Sequence, residues 1–204
     1  ELGIGAGGFW DAIVGMGGRR LAPGQSIEAL EEAITIIREL WATDKPGGVR
    51  FNGTYYQVNG AKRGPAPAHE IGIWIGAYKP RILRTIGRIG DGWLPSYQYL
   101  PNGPDHLASG SAIIDEAAES VGRDPRDIRR LLNITGEFAE TSRGFLQGPP
   151  DQWVEELTDL ALTYGTSVFV LVSDDTTTTE VFAKEVAPAV REEVQRERAA
   201  QPTG

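Results

Sequence analysis

Apolar residues recur at helical spacing between Ser26 and Trp41. Ile27, Leu30, Ile34, Ile37 and Trp41 form one stripe, and Glu28, Glu31, Glu32, Arg38 and Glu39 occupy the other faces. That period predicts a helix packed along one side. Ser26 reads as its N-cap, and Glu28 sits near the positive end of the helix dipole. A different pattern follows in IGIWIGAYKPRILRTIGRIGDGWLPS, residues 71–96. Ile71, Ile73, Trp74 and Ile75 form an apolar run with Gly72 and Gly76, too short for a helix, and predict a buried strand over 72–76. Gly76 and Ala77 remove side-chain bulk where that strand ends. Pro80 suits the first turn of a helix, and Ile82, Leu83, Ile86 and Ile89 continue it at helical spacing. Asp91-Gly92 then turns the chain into a strand over 92–95, which Pro95 stops.

The rest of the chain repeats the alternation. Residues 1–6 alternate apolar positions with glycine, as in a strand whose backbone is closely approached. Residues 42–70 are an excursion rich in Gly, Pro and polar residues, and Asn52-Gly53 within it signals a hairpin turn. Tyr55 and Tyr56 beside that turn read as packing residues. A loop with Tyr97 and Tyr99 leads to a helix over 105–121, ended near Gly122. Leu131, Leu132, Ile134 and Thr135 mark a strand over 131–136, with Glu137 and Phe138 projecting beyond its end. Pro150 opens a helix over 151–164, and Val168–Val172 reads as a strand buried on both faces, with Asp174 and Asp175 at its exit. A helix over 178–198, interrupted at Pro188, and a loose tail over 199–204 finish the chain. Five strands with connections long enough for helical crossovers predict an α/β fold with a parallel sheet. The expected organisation is one domain over 1–198.

Charge and composition narrow the chemistry. The chain has 204 residues and a net charge of −8 in mixed-sign helices, with no basic face for nucleic acid. No apolar run has membrane-spanning length. Without cysteine there is no disulfide, thiolate nucleophile or cysteine metal ligand, which fits a cytoplasmic protein. The two histidines, His69 and His106, lie in Pro/Gly-rich loops without metal-ligand spacing. No Gly-x-Ser-x-Gly elbow occurs. Gly3-Ile4-Gly5-Ala6-Gly7 only loosely echoes a dinucleotide fingerprint, and its spacing is wrong. A strand that ends in glycine and opens a helix is the chemistry-bearing feature left, because free backbone N–H groups and the helix dipole converge there on an anion. A tight strand–helix turn also needs small residues for purely structural reasons. Likewise, Gly5, Gly7 and Gly8 read by themselves as a flexible loop.

Residues 73–95 resemble a pattern of the bacterial luciferase-like monooxygenases, loosely P-I-W-I-G-G/A-x-x-P-x-x-L-R-x-x-x-R-x-A-D-G-W-L-P. Ile89 and Gly90 depart from it. The resemblance extends in order over about 1–192: ELGIGAGGFWDAIVGMGG is similar to the family's glycine-rich fourth barrel strand, SIEALEEAITIIRELW to the next helix, VRFNGTYYQV to a hairpin excursion, LTDLALTYGTSVFVLVSDD to the last helix–strand unit and VFAKEVAPAVRE to the terminal helix. The resemblance implies a (β/α)₈ TIM barrel, present here in part as about strands 4 to 8. A complete barrel typically runs to about 250 residues, so the first three βα units are expected to be missing. Such a segment alone is expected to be poorly soluble or oligomeric, and without turnover.

The family binds FMN or a deazaflavin coenzyme at the C-terminal ends of its strands. The resemblance therefore implies an oxidoreductase acting on a small organic substrate, with FMN as the generic choice and a homodimer as the common assembly. A non-catalytic barrel serving as partner subunit or scaffold is the alternative. The resemblance turns Gly5, Ala6, Gly7 and Gly8 into a cofactor face, and Gly76, Ala77, Tyr78 and Lys79 into a phosphate-binding turn. Trp93, Tyr97 and Tyr99 become candidate substrate-packing aromatics. No metal is implied and no catalytic residue is assigned. Asp91 lies before its strand, at the barrel end opposite an active site, and reads as a turn or capping residue.

Overall fold

A computed structural model describes residues 1–200. The five expected strands and the expected helices are present: four of the strands are shorter than expected, the one expected over 131–136 lies at Arg129–Ile134, and a short helix at Trp10–Gly15 and short strands at Pro101–Pro104, Glu137–Phe138 and Gln147–Gly148 are additional. In chain order the elements are β1 (Leu2–Ile4), α1 (Trp10–Gly15), α2 (Pro23–Trp41), β2 (Val49–Asn52), β3 (Gln57–Ala61), β4 (Ile73–Ile75), α3 (Pro80–Ile89), β5 (Gly92–Trp93), β6 (Pro101–Pro104), α4 (Asp105–Glu119), β7 (Arg129–Ile134), β8 (Glu137–Phe138), β9 (Gln147–Gly148), α5 (Pro150–Thr163), β10 (Val168–Leu171), α6 (Thr176–Val181) and α7 (Ala187–Ala200). The described chain divides into two compact units, residues 1–93 with 113–128, and residues 94–112 with 129–200.

In the first unit β1 pairs in parallel with β4, Leu2 opposite Ile73 and Ile4 opposite Ile75. β4 in turn pairs in parallel with β5, Ile75 opposite Trp93. Ile73, Ile75, Leu83, Ile86 and Trp93 are fully enclosed. Gly87 of α3 permits close helix contact, since a Cβ there would lie 2.4 Å from the Ile114 carbonyl oxygen and 2.7 Å from Ala117 Cβ. α2 begins at Pro23, three residues before the expected Ser26 cap. Ser26 is buried and its hydroxyl donates back to the Pro23 carbonyl, while Gln25 Oε1 accepts the Ala22 N–H at 3.1 Å. The residues 42–70 hold the expected hairpin, with β2 antiparallel to β3 and Asn52 opposite Gln57.

In the second unit β7 and β10 pair in parallel, Leu131 opposite Val168 and Ile134 opposite Leu171. β10 is only half-buried along its length, not enclosed on both faces as its β-branched run suggested. β8 and β9 close the loop that follows β7. Phe138 stacks on Trp153 of α5 with ring centroids 4.4 Å apart. The C-terminal helical stretch starts at Thr176 and is continuous to Ala200, where an interruption at Pro188 was expected. Pro188 has no N–H and its ring crowds the carbonyl four residues back; residues Phe182–Val186 absorb this as a single π-helical turn. Residues 199 and 200 are helical, and the remainder of the expected loose tail lies outside the described residues. No described helix is long and apolar enough to cross a membrane.

Candidate functional site

The glycine-rich end of β1 opens onto a cavity of about 420 Å³ in the first unit. Gly5, Ala6 and Gly7 form one wall, and Trp10, Ile13, Arg19, Leu30 and Tyr56 are among the others. Gly7 has φ +95°, and a Cβ on it would sit 3.0 Å from the Trp10 ring. That position therefore needs glycine for both conformation and space. Gly5 and Gly8 differ: a Cβ on Gly5 meets only the Gly76 carbonyl oxygen, at 3.9 Å, and one on Gly8 meets nothing within 4 Å. At those two positions no packing within the described chain requires glycine.

Gly76 lies beside that wall, but its N–H is not available to a phosphate. It donates to the Ile4 carbonyl at 3.1 Å, because the β1–β4 ladder continues one residue past the strand. This corrects the expectation for that donor. Ala77 is buried, and its carbonyl accepts the Trp93 indole N–H at 2.9 Å. Lys79 is exposed at the N-cap of α3, whose first residue is Pro80. The N–H groups of the first helical turn lack partners inside the helix, so the positive end of the dipole and Lys79 coincide at the turn. Tyr78, half-buried, completes it.

The aromatic residues separate. Trp93 is 1% exposed and holds the Ala77 turn from below, so it presents no surface to a substrate in this structure. Tyr97 and Tyr99 belong to the second unit. Tyr97 stacks on Phe145 with centroids 4.0 Å apart, and burial, helped by the Glu156 charge, raises its phenol pKa. Tyr99 is 62% exposed. A second cavity of about 420 Å³, in that unit, is walled by Leu157, Phe169, Phe182, Val190 and Val194 and contains none of the expected site residues.

Asp91 has the structural role its position suggested. Its Oδ2 accepts the Ile73 N–H at 2.8 Å, and Arg38 Nη2 contacts both carboxylate oxygens at 2.9 and 3.0 Å. Arg123 spans the adjacent turn through the Gly87 and Gly90 carbonyls.

The acidic face of α2 carries more than the sequence pattern indicated. Glu31 Oε1 accepts from the buried Thr85 hydroxyl at 2.7 Å and from Arg88 at 3.0 Å. Glu28 joins Arg81 at 2.8 Å and the Tyr55 hydroxyl at 2.7 Å. The Tyr55 bond, then Arg81, holds the Glu28 carboxyl below its ordinary value, and the same bond raises the Tyr55 phenol. Glu32 accepts the backbone N–H groups of Thr54, Tyr55 and Tyr56. Desolvation is the largest single influence on Glu32 and raises its pKa, but the three N–H groups together outweigh it and the net direction is down. Helical periodicity places these acids on the polar faces; it carries no information about a hairpin tip more than twenty residues away.

A family described as luciferase-like monooxygenase matches residues 1–166, and the chain belongs to that family. An F420-dependent glucose-6-phosphate dehydrogenase of Microbacterium testaceum is 32% identical over 113 residues, 54% of this chain and 31% of the relative. The chain thus matches about a third of that relative's length. Among solved structures, an F420-dependent secondary alcohol dehydrogenase in complex with an F420–acetone adduct superposes with TM-score 0.78 at 19% identity, over 93% of this chain and 69% of the other. The monooxygenase RslO1 of Streptomyces bottropensis superposes with TM-score 0.72 at 16% identity, over 92% and 68%. The fold is the luciferase-like (β/α)₈ barrel, represented here by part of a barrel with five parallel strands.

Proposed function

We propose that this chain forms the cofactor-holding part of a deazaflavin-dependent oxidoreductase acting on a small organic substrate. The observation that carries the reading is the bare backbone at Gly5 in the wall of a cavity that Trp10 and Tyr56 also line, in a chain with a relative, 32% identical over 113 residues, that is named F420-dependent. The cradle fits a flat ring system: glycine removes steric obstruction, and Trp10 and Tyr56 offer π surfaces. When bound, the coenzyme supplies hydride chemistry that side chains cannot. The chain's own part is placement and exclusion of water. Gly5–Gly8 form the face, and Lys79 with the start of α3 attracts the coenzyme's anionic portion. Trp93 fixes the Ala77 carbonyl so that this turn keeps its shape.

Titration of the full-length protein with F420 and with FMN, each followed by fluorescence, tests the reading. F420 is expected to bind more tightly. A Gly5→Ala variant should lose affinity with a nearly unchanged urea midpoint, since the added methyl group meets only the Gly76 carbonyl oxygen, at 3.9 Å, and otherwise projects toward the ligand. Tighter FMN binding would replace the deazaflavin with a flavin. Absence of both would leave a barrel that serves as a partner subunit.

A further inference from the structure

The tip of the β2–β3 hairpin is held by far more than its own turn. Gly53 N–H donates to the Tyr56 carbonyl at 2.9 Å, which already closes the loop. Beneath it, Glu32 Oε1 accepts Thr54 N–H at 2.7 Å, and Oε2 accepts Tyr55 and Tyr56 N–H at 2.9 and 3.0 Å. Glu28, one helical turn away, accepts the Tyr55 hydroxyl, and Arg19 donates to the Tyr55 carbonyl at 2.9 Å. Gly53 is tied to the same arrangement, because a Cβ there would fall 2.3 Å from Glu32 Oε2.

Two like charges at i and i+4 on a helix repel one another. Here each is committed to the same short loop. An exposed hairpin tip can satisfy its N–H groups with water, so three of them on one carboxylate fix the tip's position relative to α2. The residue delivered by that position is Tyr56, which is 43% exposed and lines the cavity shared with Gly5, Gly7 and Trp10.

We propose that Glu32 is a positioning residue that sets Tyr56 as the aromatic wall of the Gly5–Gly7 cavity, where Tyr56 selects a planar ring. The proposal rests on the cavity being the cofactor face. Tyr56 touches the ligand, and Glu32 acts only through it. Glu28 and Arg19 support the neighbouring Tyr55 and so restrict the tip's rotation.

The test uses the full-length protein and its Glu32→Ala, Glu32→Gln, Tyr56→Leu and Glu32→Ala/Tyr56→Leu variants. F420 and FMN affinities are read by fluorescence, and the amides of residues 54–56 by hydrogen exchange. Tyr56→Leu is expected to weaken binding of the preferred cofactor by about tenfold, the scale of one lost aromatic contact. Glu32→Ala should weaken it comparably and expose the tip amides, and the double variant should be no weaker than either single one. Glu32→Gln retains a carbonyl acceptor and should be intermediate in both readouts, which separates positioning from loss of fold. Exposed tip amides with wild-type affinity in Glu32→Ala, or additive losses in the double variant, would overturn the proposal alone. A wild-type protein with protected tip amides that binds neither cofactor would overturn the cofactor reading, and the proposal with it.

Discussion

Arg38 of α2 grips both carboxylate oxygens of Asp91, at 2.9 and 3.0 Å, while Asp91 Oδ2 takes the N–H of Ile73 at the root of β4. A helix, a turn and a strand thereby meet at one carboxylate. Arg38 also donates to the Ile89 carbonyl, so the pair closes the end of α3.

Removing that carboxylate leaves the Ile73 N–H and the Arg38 guanidinium without their shared acceptor. Asp91→Ala is expected to cost about 1–3 kcal/mol, the range for hydrogen bonds to charged groups. Urea denaturation measures it, and cofactor affinity should change little, since Asp91 precedes its strand and the proposed cofactor face follows the strand ends.

The close approach of α3 and α4 at Gly87 gives a second expectation. Gly87→Ala places a methyl group against the Ile114 carbonyl and Ala117, and should destabilise by about 1–3 kcal/mol through overpacking. Gly64→Ala is the control: nothing lies within 4 Å of a Cβ there, and its effect should stay within about 0.5 kcal/mol. Equal midpoints for both variants would show that the helices can separate without cost.

Trp93 links core to site. Trp93→Phe keeps the apolar bulk and leaves the buried Ala77 carbonyl without its donor, a cost of about 1–3 kcal/mol. Loosening of the turn before Lys79 should also weaken cofactor binding. A stability loss with unchanged affinity would confine Trp93 to the core.

Acid sensitivity follows from the carboxylates of α2. Lys45 and then Arg63 hold Glu39 below its ordinary 4.5, and Glu28 and Glu32 are lowered as described. A carboxyl whose folded pKa is depressed contributes stability that is present above its unfolded value and lost as pH falls through the folded one. Asp124, held at about 2 from an ordinary 3.8 by its hydrogen bonds to Arg126, extends the same trend to lower pH. Urea midpoints should therefore be flat above about pH 5 and fall below pH 4.5. The fall should be shallower in Glu32→Gln, which has one titrating group fewer.

Much of this molecule is legible in one dimension. The α2 stripe, the short apolar run at Ile73–Ile75 and the Asn52-Gly53 turn each depend on residues within a few positions, where side-chain period and backbone preference act directly. The glycines of 5–8 and the turn at 76–79 were visible as a family pattern as well as by composition. Strand ends are less legible: Leu94 and Pro95 follow β5, and the Pro95 carbonyl accepts the Asn133 N–H of β7 at 2.9 Å.

What the tertiary structure decided is which groups are already spoken for. Sequence cannot tell that the Gly76 N–H belongs to Ile4, that Trp93 is buried under Ala77, or that Glu32 supports residues 54–56. The reason is physical. Period and propensity report a residue's relation to its own element, whereas an N–H or carboxylate takes whatever partner the packing brings within about 3 Å. For this chain the sequence determined the βα order, the helix faces and the family; the pairing of strands and the docking of the hairpin decided which backbone groups are already bonded, as at Gly76 and residues 54–56.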